Sequence, residues 1–249
     1  MDCARLGRYG LLSVSGADAR EFLHAQLTND ILNLPPERAA LAGWCSAKGR
    51  LLATFLVIPA LQGYLLQLAR DLAPAVAKRL SMFVLRSKVK IADESDAWAQ
   101  FGIWNTEQDL ARIEWKSQVA SVPVGEKRVL RLEPAASASP DSSALRCRGD
   151  EETWYLQEIQ AGRPFITAAT QDQFVPQMVN LETLGGVDFQ KGCYPGQEIV
   201  ARAQYRGQVK RRMVRLPAPQ GERLRPGQQF NGGTVVDSAG GEVLAVMPV

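Results

Sequence analysis

Between Lys191 and Arg202 the chain reads KGCYPGQEIVAR, which sets one thiol among a lysine, a glutamate and an arginine, with glycines on either side. Gly192 and Gly196 open backbone angles closed to other residues. Pro195 fixes one dihedral without donating a hydrogen bond, so the composition specifies a shaped, solvent-reaching turn. Lys191 and Arg202 favour an anion electrostatically and would lower the pKa of Cys193 from its ordinary value of about 8.5. Cys193 is therefore the candidate catalytic or ligand-forming thiol, with Lys191 beside it. The same residues also fit a plainer arrangement in which Cys193 is a small buried hydrophobe beneath the turn, because free cysteines are among the most buried residue types.

A thiol loop needs elements to hold it. Upstream, SGADAREFLHAQLTNDI reads as a strand end, a turn at Gly16 and a helix. Asp18 and Glu21 suggest a capping box, and Phe22, Leu23 and Leu27 share one helical face. Asn29 and Asp30 follow the helix with short polar side chains able to bond backbone or ligand. His24, the only histidine, reads as a packed or surface residue, because no carboxylate stands at a sequence relation that would orient it.

Next, the loop GWCSAKGR (43–50) precedes Leu51 to Ile58, an apolar run fit for a central strand, and Gln62-Gly63 turns it into a hairpin. Lys48 and Arg50 at that mouth are candidates for an anionic group, though ordinary solvated charges fit equally well. Leu72, Val76, Leu80 and Phe83 recur at helical spacing, and from Phe83 to Ile91 apolar residues alternate with Arg86, Lys88 and Lys90 as in a half-wet strand. The order of elements predicts an α+β domain with helices against largely antiparallel sheet. EPAASASPDSSA (133–144) reads as an exposed, flexible connection, and from Gln208 onward glycine-rich turns separate short β-prone pieces, as in a small barrel or sheet.

Bulk properties narrow the function classes. At 249 residues the chain has room for two domains: 1–204, built of two α+β sub-regions, and a short β-barrel-like 205–249. A formal charge of +3 is too balanced to imply nucleic-acid binding, although Arg202 to Arg215 is locally basic. Four scattered cysteines without a CxxC pair argue against a dense disulfide framework and against a self-contained metal motif, so no metal ligands are assigned. The N-terminus does not read as a secretory signal, and Leu51 to Ala60 is too short to cross a bilayer. A reducing, cytoplasmic setting without membrane contact is expected. There is no GxGxxG and no GxxxxGK[ST], hence no case for a dinucleotide or phosphate loop.

Taken together, SGADAREFLHAQLTNDI, GWCSAKGR and FVPQMVNLETLGGVDFQKGCYPGQEIVAR resemble the YgfZ-like folate-binding proteins, relatives of the aminomethyltransferase T-protein of glycine cleavage. The blocks span most of the chain from about Tyr9 to Arg212. This resemblance implies a tetrahydrofolate-binding fold whose sub-regions surround a central channel. Its implied role is as an accessory in iron–sulfur cluster assembly or repair and, through client enzymes that thiolate tRNA, in tRNA modification and processing. Carried over residue by residue, Lys191, Gly192, Cys193, Tyr194, Gly196, Gln197, Glu198 and Arg202 match the signature, and Lys48, Gly49 and Arg50 the basic loop. Tyr9 stands where relatives carry a tryptophan near folate. Pro195 replaces a common threonine, His24 a frequent glutamine, and the C-terminal region is short beside longer relatives.

A folate asks for a flat apolar slot, a few directional bonds and cations for its glutamate tail. Tyr9, Trp154 and Tyr155 are candidate plates, with core packing the alternative for Trp154 and Tyr155. Asn29, Asp30, Asn180, Gln197 and Glu198 are candidates for directional bonds, and Lys48, Arg50 and Arg202 for carboxylates. The expected cofactor is tetrahydrofolate or another folate. Any iron–sulfur contact must be transient and shared with a partner, since a cubane takes four cysteines and Cys193 supplies one. Two other readings stay open: one-carbon transfer of the aminomethyltransferase type, and tRNA binding by the basic stretch. Direct nucleic-acid binding is not expected, because aromatic residues that stack bases do not interleave that stretch.

Overall fold

Apolar runs of the first ninety residues build one five-stranded sheet in the computed structural model, which describes residues 2–107, 110–137, 147 and 149–249. The chain enters through β1 (Asp2–Arg5) and β2 (Tyr9–Ser15), passes through α1 (Ala19–Gln26), and continues as β3 (Ala40–Cys45), β4 (Leu51–Ala60) and β5 (Gly63–Ala69), followed by α2 (Ala73–Ser81) and β6 (Lys90–Asp93). Apart from β1, these strands pair antiparallel in the order β3-β4-β5-β2-β6. β4 lies inside the sheet between β3 and β5 and is almost wholly buried, which is why its sequence, LLATFLVIPA, is apolar without alternation. The pairs Leu12 with Leu66 and Val57 with Leu66 line one row across the sheet.

A second antiparallel sheet, in the order β1-β7-β10-β9-β8, takes β7 (Trp98–Trp104), β8 (Glu114–Lys116), β9 (Val119–Gly125) and β10 (Arg128–Pro134). α3 (Glu151–Gln160) then crosses to the C-terminal part, with the Asp150 carboxylate accepting the Glu152 N–H at its start. Trp154 of α3 lies flat on Gly102 of β7, where a Cβ would overlap the indole. After α4 (Gln197–Tyr205) come β11 (Arg211–Pro217), β12 (Gln229–Phe230), β13 (Gly233–Ala239) and β14 (Glu242–Pro248), an antiparallel sheet ordered β11-β14-β13-β12. Among the described residues β12 does not pair with β11, so this region is an open sheet rather than a closed barrel. One buried apolar cluster runs through all three sheets, from Leu11 and Leu66 to Leu130 and Val236.

The α+β architecture, the hairpin at Gln62-Gly63 and the helix after Leu72 follow the sequence reading. Two local expectations are corrected. Asp18 does not cap α1; its carboxylate accepts the Lys88 N–H, tying the helix start to the lead-in of β6. The stretch from Phe83 to Val89 is not a strand. Phe83, Val84 and Ser87 close successive turns, and Leu85, 90% exposed, takes a left-handed conformation, so only Lys90–Asp93 pairs with β2. Of the stretch expected as a connection, Glu133 and Pro134 end β10, Ala135–Ser137 forms a 3-10 turn, and 138–144 lies outside the described residues.

Sγ of Cys3 is bonded to Sγ of Cys147, a pairing across 144 residues that spacing alone does not reveal. Cys45 and Cys193 are free. Among the described residues no helix is long and apolar enough to cross a membrane.

Candidate functional site

Thr28, fully buried just beyond α1, is where the separated sequence blocks meet. Its hydroxyl donates to the Gly186 carbonyl at 2.6 Å and accepts the Gly43 N–H at 2.8 Å. Its backbone N–H donates to the Gly43 carbonyl, and its carbonyl accepts the Asp188 N–H. One threonine therefore fastens the TND turn, the start of the basic-loop block and the lead-in to the cysteine loop.

A second fastening is steric. Gly196 (φ +78) and Gly49 (φ +67) come together so closely that a Cβ on Gly196 would overlap the Ser46 carbonyl oxygen and approach the Gly49 Cα to 2.6 Å. A Cβ on Gly49 would approach the Ile199 Cβ to 2.8 Å. Backbone approach of this kind, with left-handed dihedrals on both sides, admits glycine alone.

Lys191 supplies the third. Its ammonium donates to the carbonyls of His24 and Leu27, the otherwise unpaired end of α1, and lies 4.8 Å from the Tyr194 ring centroid. Burial lowers the Lys191 pKa to about 8, against the opposing pull of Asp30, Asp188 and Cys193. Anchored in this way, the loop leaves Cys193 exposed, whereas Cys45 is buried and its thiol is pushed up to about 12 by burial. The buried-hydrophobe alternative for Cys193 is thereby excluded.

His24, read from the sequence as packed or surface because no carboxylate was placed to orient it, has one in the fold. Its Nδ1 stands 3.1 Å from Asp30 Oδ1, six positions on, because the chain doubles back after α1. Burial opposes the charge on Asp30, but bonds from Asn33 and Leu32 and the neighbouring imidazole outweigh it and hold the carboxyl below its usual range. Burial, and then the Lys191 cation, lowers the His24 pKa against the pull of Asp30 and Asp188. The signal lay in the turn that follows the helix, which returns a carboxylate to the helix end.

The other candidates divide between two places. Tyr9 faces an internal recess of about 50 Å³, lined also by Gln67, Glu158, Arg163, Phe165 and Asp237. Phe165 meets Tyr9 edge-on at 5.1 Å, and burial raises the Tyr9 hydroxyl well above its usual pKa. Glu158 is paired with Arg128 and Arg163, and Asp237 with Arg8. Burial raises the Asp237 pKa against the pull of Arg8. Tyr155 stacks under Arg8 and near Tyr9, while Trp154 is buried against Trp104 and Arg128.

On the cysteine-loop side lie the exposed Lys48, Arg50, Glu198 and Arg202, together with Gln197, whose amide donates to the Lys191 carbonyl. Arg50 reaches the Asp172 carbonyl. Asn29 and Asn180 are engaged by the protein itself, Asn29 with the carbonyls of Leu41 and Gly185, Asn180 with the Met213 carbonyl and Arg212. Along α4, Arg202, Tyr205 and Arg206 face one open groove, with Tyr205 69% exposed. Among the described residues no group of three or more His, Cys, Asp or Glu side chains is arranged to hold a metal ion.

No family model matches the chain. Two proteins named "tRNA-modifying protein YgfZ" align over most of it. The one from Klebsiella pneumoniae (strain 342) is 33% identical over 230 residues, covering 85% of this chain and 70% of its own. The one from Vibrio vulnificus (strain CMCP6) is 30% identical over 223 residues, covering 85% and 68%. A protein of Haemophilus influenzae described as uncharacterized is 33% identical over 210 residues, covering 84% of this chain and 70% of that protein. Among solved structures, the glycine cleavage system aminomethyltransferase T from Bartonella henselae superposes with a TM-score of 0.76 at 15% identity, covering 99% of this chain and 78% of that one, a likeness of fold.

Proposed function

The chain belongs to the YgfZ family, and from that premise we propose that it is a cytoplasmic, reduced-folate-binding accessory protein that maintains iron–sulfur enzymes and, through clients such as tRNA-thiolating enzymes, supports tRNA modification. The observation that carries the folate half is the composition of the internal recess. A pterin is a flat ring with one edge of adjacent N–H donors, which suits an aromatic neighbour and a buried carboxylate. Tyr9 and Phe165 offer the ring contacts, Glu158 and Asp237 the acceptors, and Arg163 a cation at the same wall. These donor and acceptor types fit the group. The recess volume of about 50 Å³ is well below the several hundred Å³ of a ligand pocket, so its lining fits a pterin in chemistry and not in size.

When bound, the folate would supply one-carbon or reducing chemistry; the residues named here would bind and orient it and exclude water. The cysteine loop is the other half of this reading. Its thiol is exposed while its backbone is tied to α1 and to the basic loop, as a side chain that must meet a client protein requires. An iron–sulfur cluster would be cargo held mainly by the client, because one thiol provides a quarter of the usual ligand set.

Calorimetric titration with tetrahydrofolate tests the folate half. The parent protein binds, and Tyr9→Leu weakens binding by about tenfold or more, the loss of roughly 1.4 kcal/mol of ring contact. Equal affinity in parent and Tyr9→Leu would remove the recess as the folate site.

A further inference from the structure

We propose that the exposed face of α4 binds a short single-stranded segment of nucleic acid, with its phosphates on Arg202 and Arg206 and one of its bases stacked on Tyr205. This surface goes beyond the function proposed above and shares no lining residue with the internal recess.

The basic stretch from Arg202 to Arg215 reads in the sequence as lacking the aromatic plates that stack bases, and the fold supplies one. Glu198, Arg202, Tyr205 and Arg206 recur at the spacing of one helical face and line an open groove of about 600 Å³. That volume falls within the range of about 300–1,000 Å³ that ligand sites occupy. Of α4 only Val200 is buried, so the helix is held on one side and leaves this face to solvent. Tyr205 is 69% exposed, yet its ring has a fixed support: Phe189, packed against the core, meets it edge to face at 5.9 Å. An aromatic ring held by a packed neighbour and open to solvent is a ready plate for an unpaired base.

The charges point the same way. Arg8, Arg128, Arg163, Arg212 and Arg215 each pair with a carboxylate, whereas among the described residues Arg202 and Arg206 have no ion-pair partner. They stand four residues apart, on successive turns about 6 Å along the helix axis. The basic loop extends the patch, because Gly49 packs against Ile199 and Gly196 and so sets the segment bearing the exposed Lys48 and Arg50 against the start of α4. Against these four cations the groove carries one carboxylate, Glu198. A polyanion is the complementary partner. An acidic protein segment shares that charge, but protein interfaces bury an apolar cluster at their centre, and the large exposed apolar side chains of α4 are Ile199 and Tyr205 alone. Two guanidinium groups flanking one plate match a strand in which charged backbone and flat bases alternate.

Fluorescence anisotropy of a labelled oligouridine of about twelve nucleotides, titrated with the full chain from about 50 to about 200 mM salt, tests this without folate or client protein. Oligothymidine run alongside separates RNA from DNA as the source, and saturable binding of either supports the site. The parent binds with an affinity that falls as salt rises. Arg202→Gln and Arg206→Gln each weaken binding and reduce the slope of log affinity against log salt by about 0.7, the share of one phosphate on a single strand. Tyr205→Ala weakens binding about fivefold or more while leaving that slope unchanged, and Tyr205→Phe, which keeps the plate, binds as the parent does. A merely structural role for these side chains would not divide the two readouts in this way. No binding at about 50 mM salt, equal affinity in parent and Tyr205→Ala, or equally tight binding of a duplex of the same length would each overturn the proposal. So would displacement of the oligonucleotide by polyglutamate at equal charge, which would assign the face to an acidic protein.

Discussion

Lys191 keeps an ammonium in a place where only 8% of the residue is exposed, against its own desolvation. What compensates is the end of α1, two carbonyls that would otherwise lack donors. The sign of the resulting pH dependence follows from its pKa, about 8 in the fold against an ordinary 10.5. Between those values the unfolded chain holds a proton that the folded chain has released, so this group's contribution to stability rises with pH through the window and is flat below it. Denaturant unfolding of the parent and of Lys191→Met at stepped pH should show their stability difference move in the parent's favour between about pH 8 and pH 10.5. A difference independent of pH there would mean that the lysine is not buried as described.

Glycine contacts decide how the loops meet, and they separate two kinds of glycine in one chain. Gly196→Ala would combine a left-handed backbone with overlap against the backbone of Ser46 and Gly49, and we expect a loss of about 2–4 kcal/mol in urea unfolding. Gly185→Ala, at φ +72 but with nothing within 4 Å, should lose only about 1–2 kcal/mol. Equal losses would show that the loop-to-loop contact contributes nothing. The turn-forming character of KGCYPGQE was legible in the sequence, because it rests on what glycine and proline do locally. That Gly196 lies against Gly49 was not, since it depends on a contact across about 150 positions. The same limit explains His24 and Asp30, whose approach depends on how the chain folds back after α1. It also explains Phe83 to Val89, where an alternating pattern suggested a strand and the turns after α2 prevented one. Tyr9 became a candidate through the family resemblance, whereas Glu158, Arg163 and Asp237 reach the recess beside it from distant segments and carried no local signal.

Across the whole molecule α3 joins the parts, with Trp154 on the second sheet and Leu156 against Gly240 beside the C-terminal sheet. Arg8 extends the connection to Asp237 of β13. The Cys3–Cys147 bond closes a long loop over the same region, and by chain entropy it is worth about 2–5 kcal/mol when formed. Under oxidising conditions Cys147→Ser should therefore unfold at lower denaturant than the parent, and added reductant should erase the difference; a gap that persists in reductant would assign the effect to packing. In a reducing cytoplasm the fold would rely on its continuous core instead, leaving Cys193 as the exposed thiol. The most direct test of the function proposed for that thiol is the level of thiolated tRNA in cells lacking the native protein. The account predicts that the parent chain restores thiolation and that an equally abundant Cys193→Ser chain does not; restoration by both would contradict it.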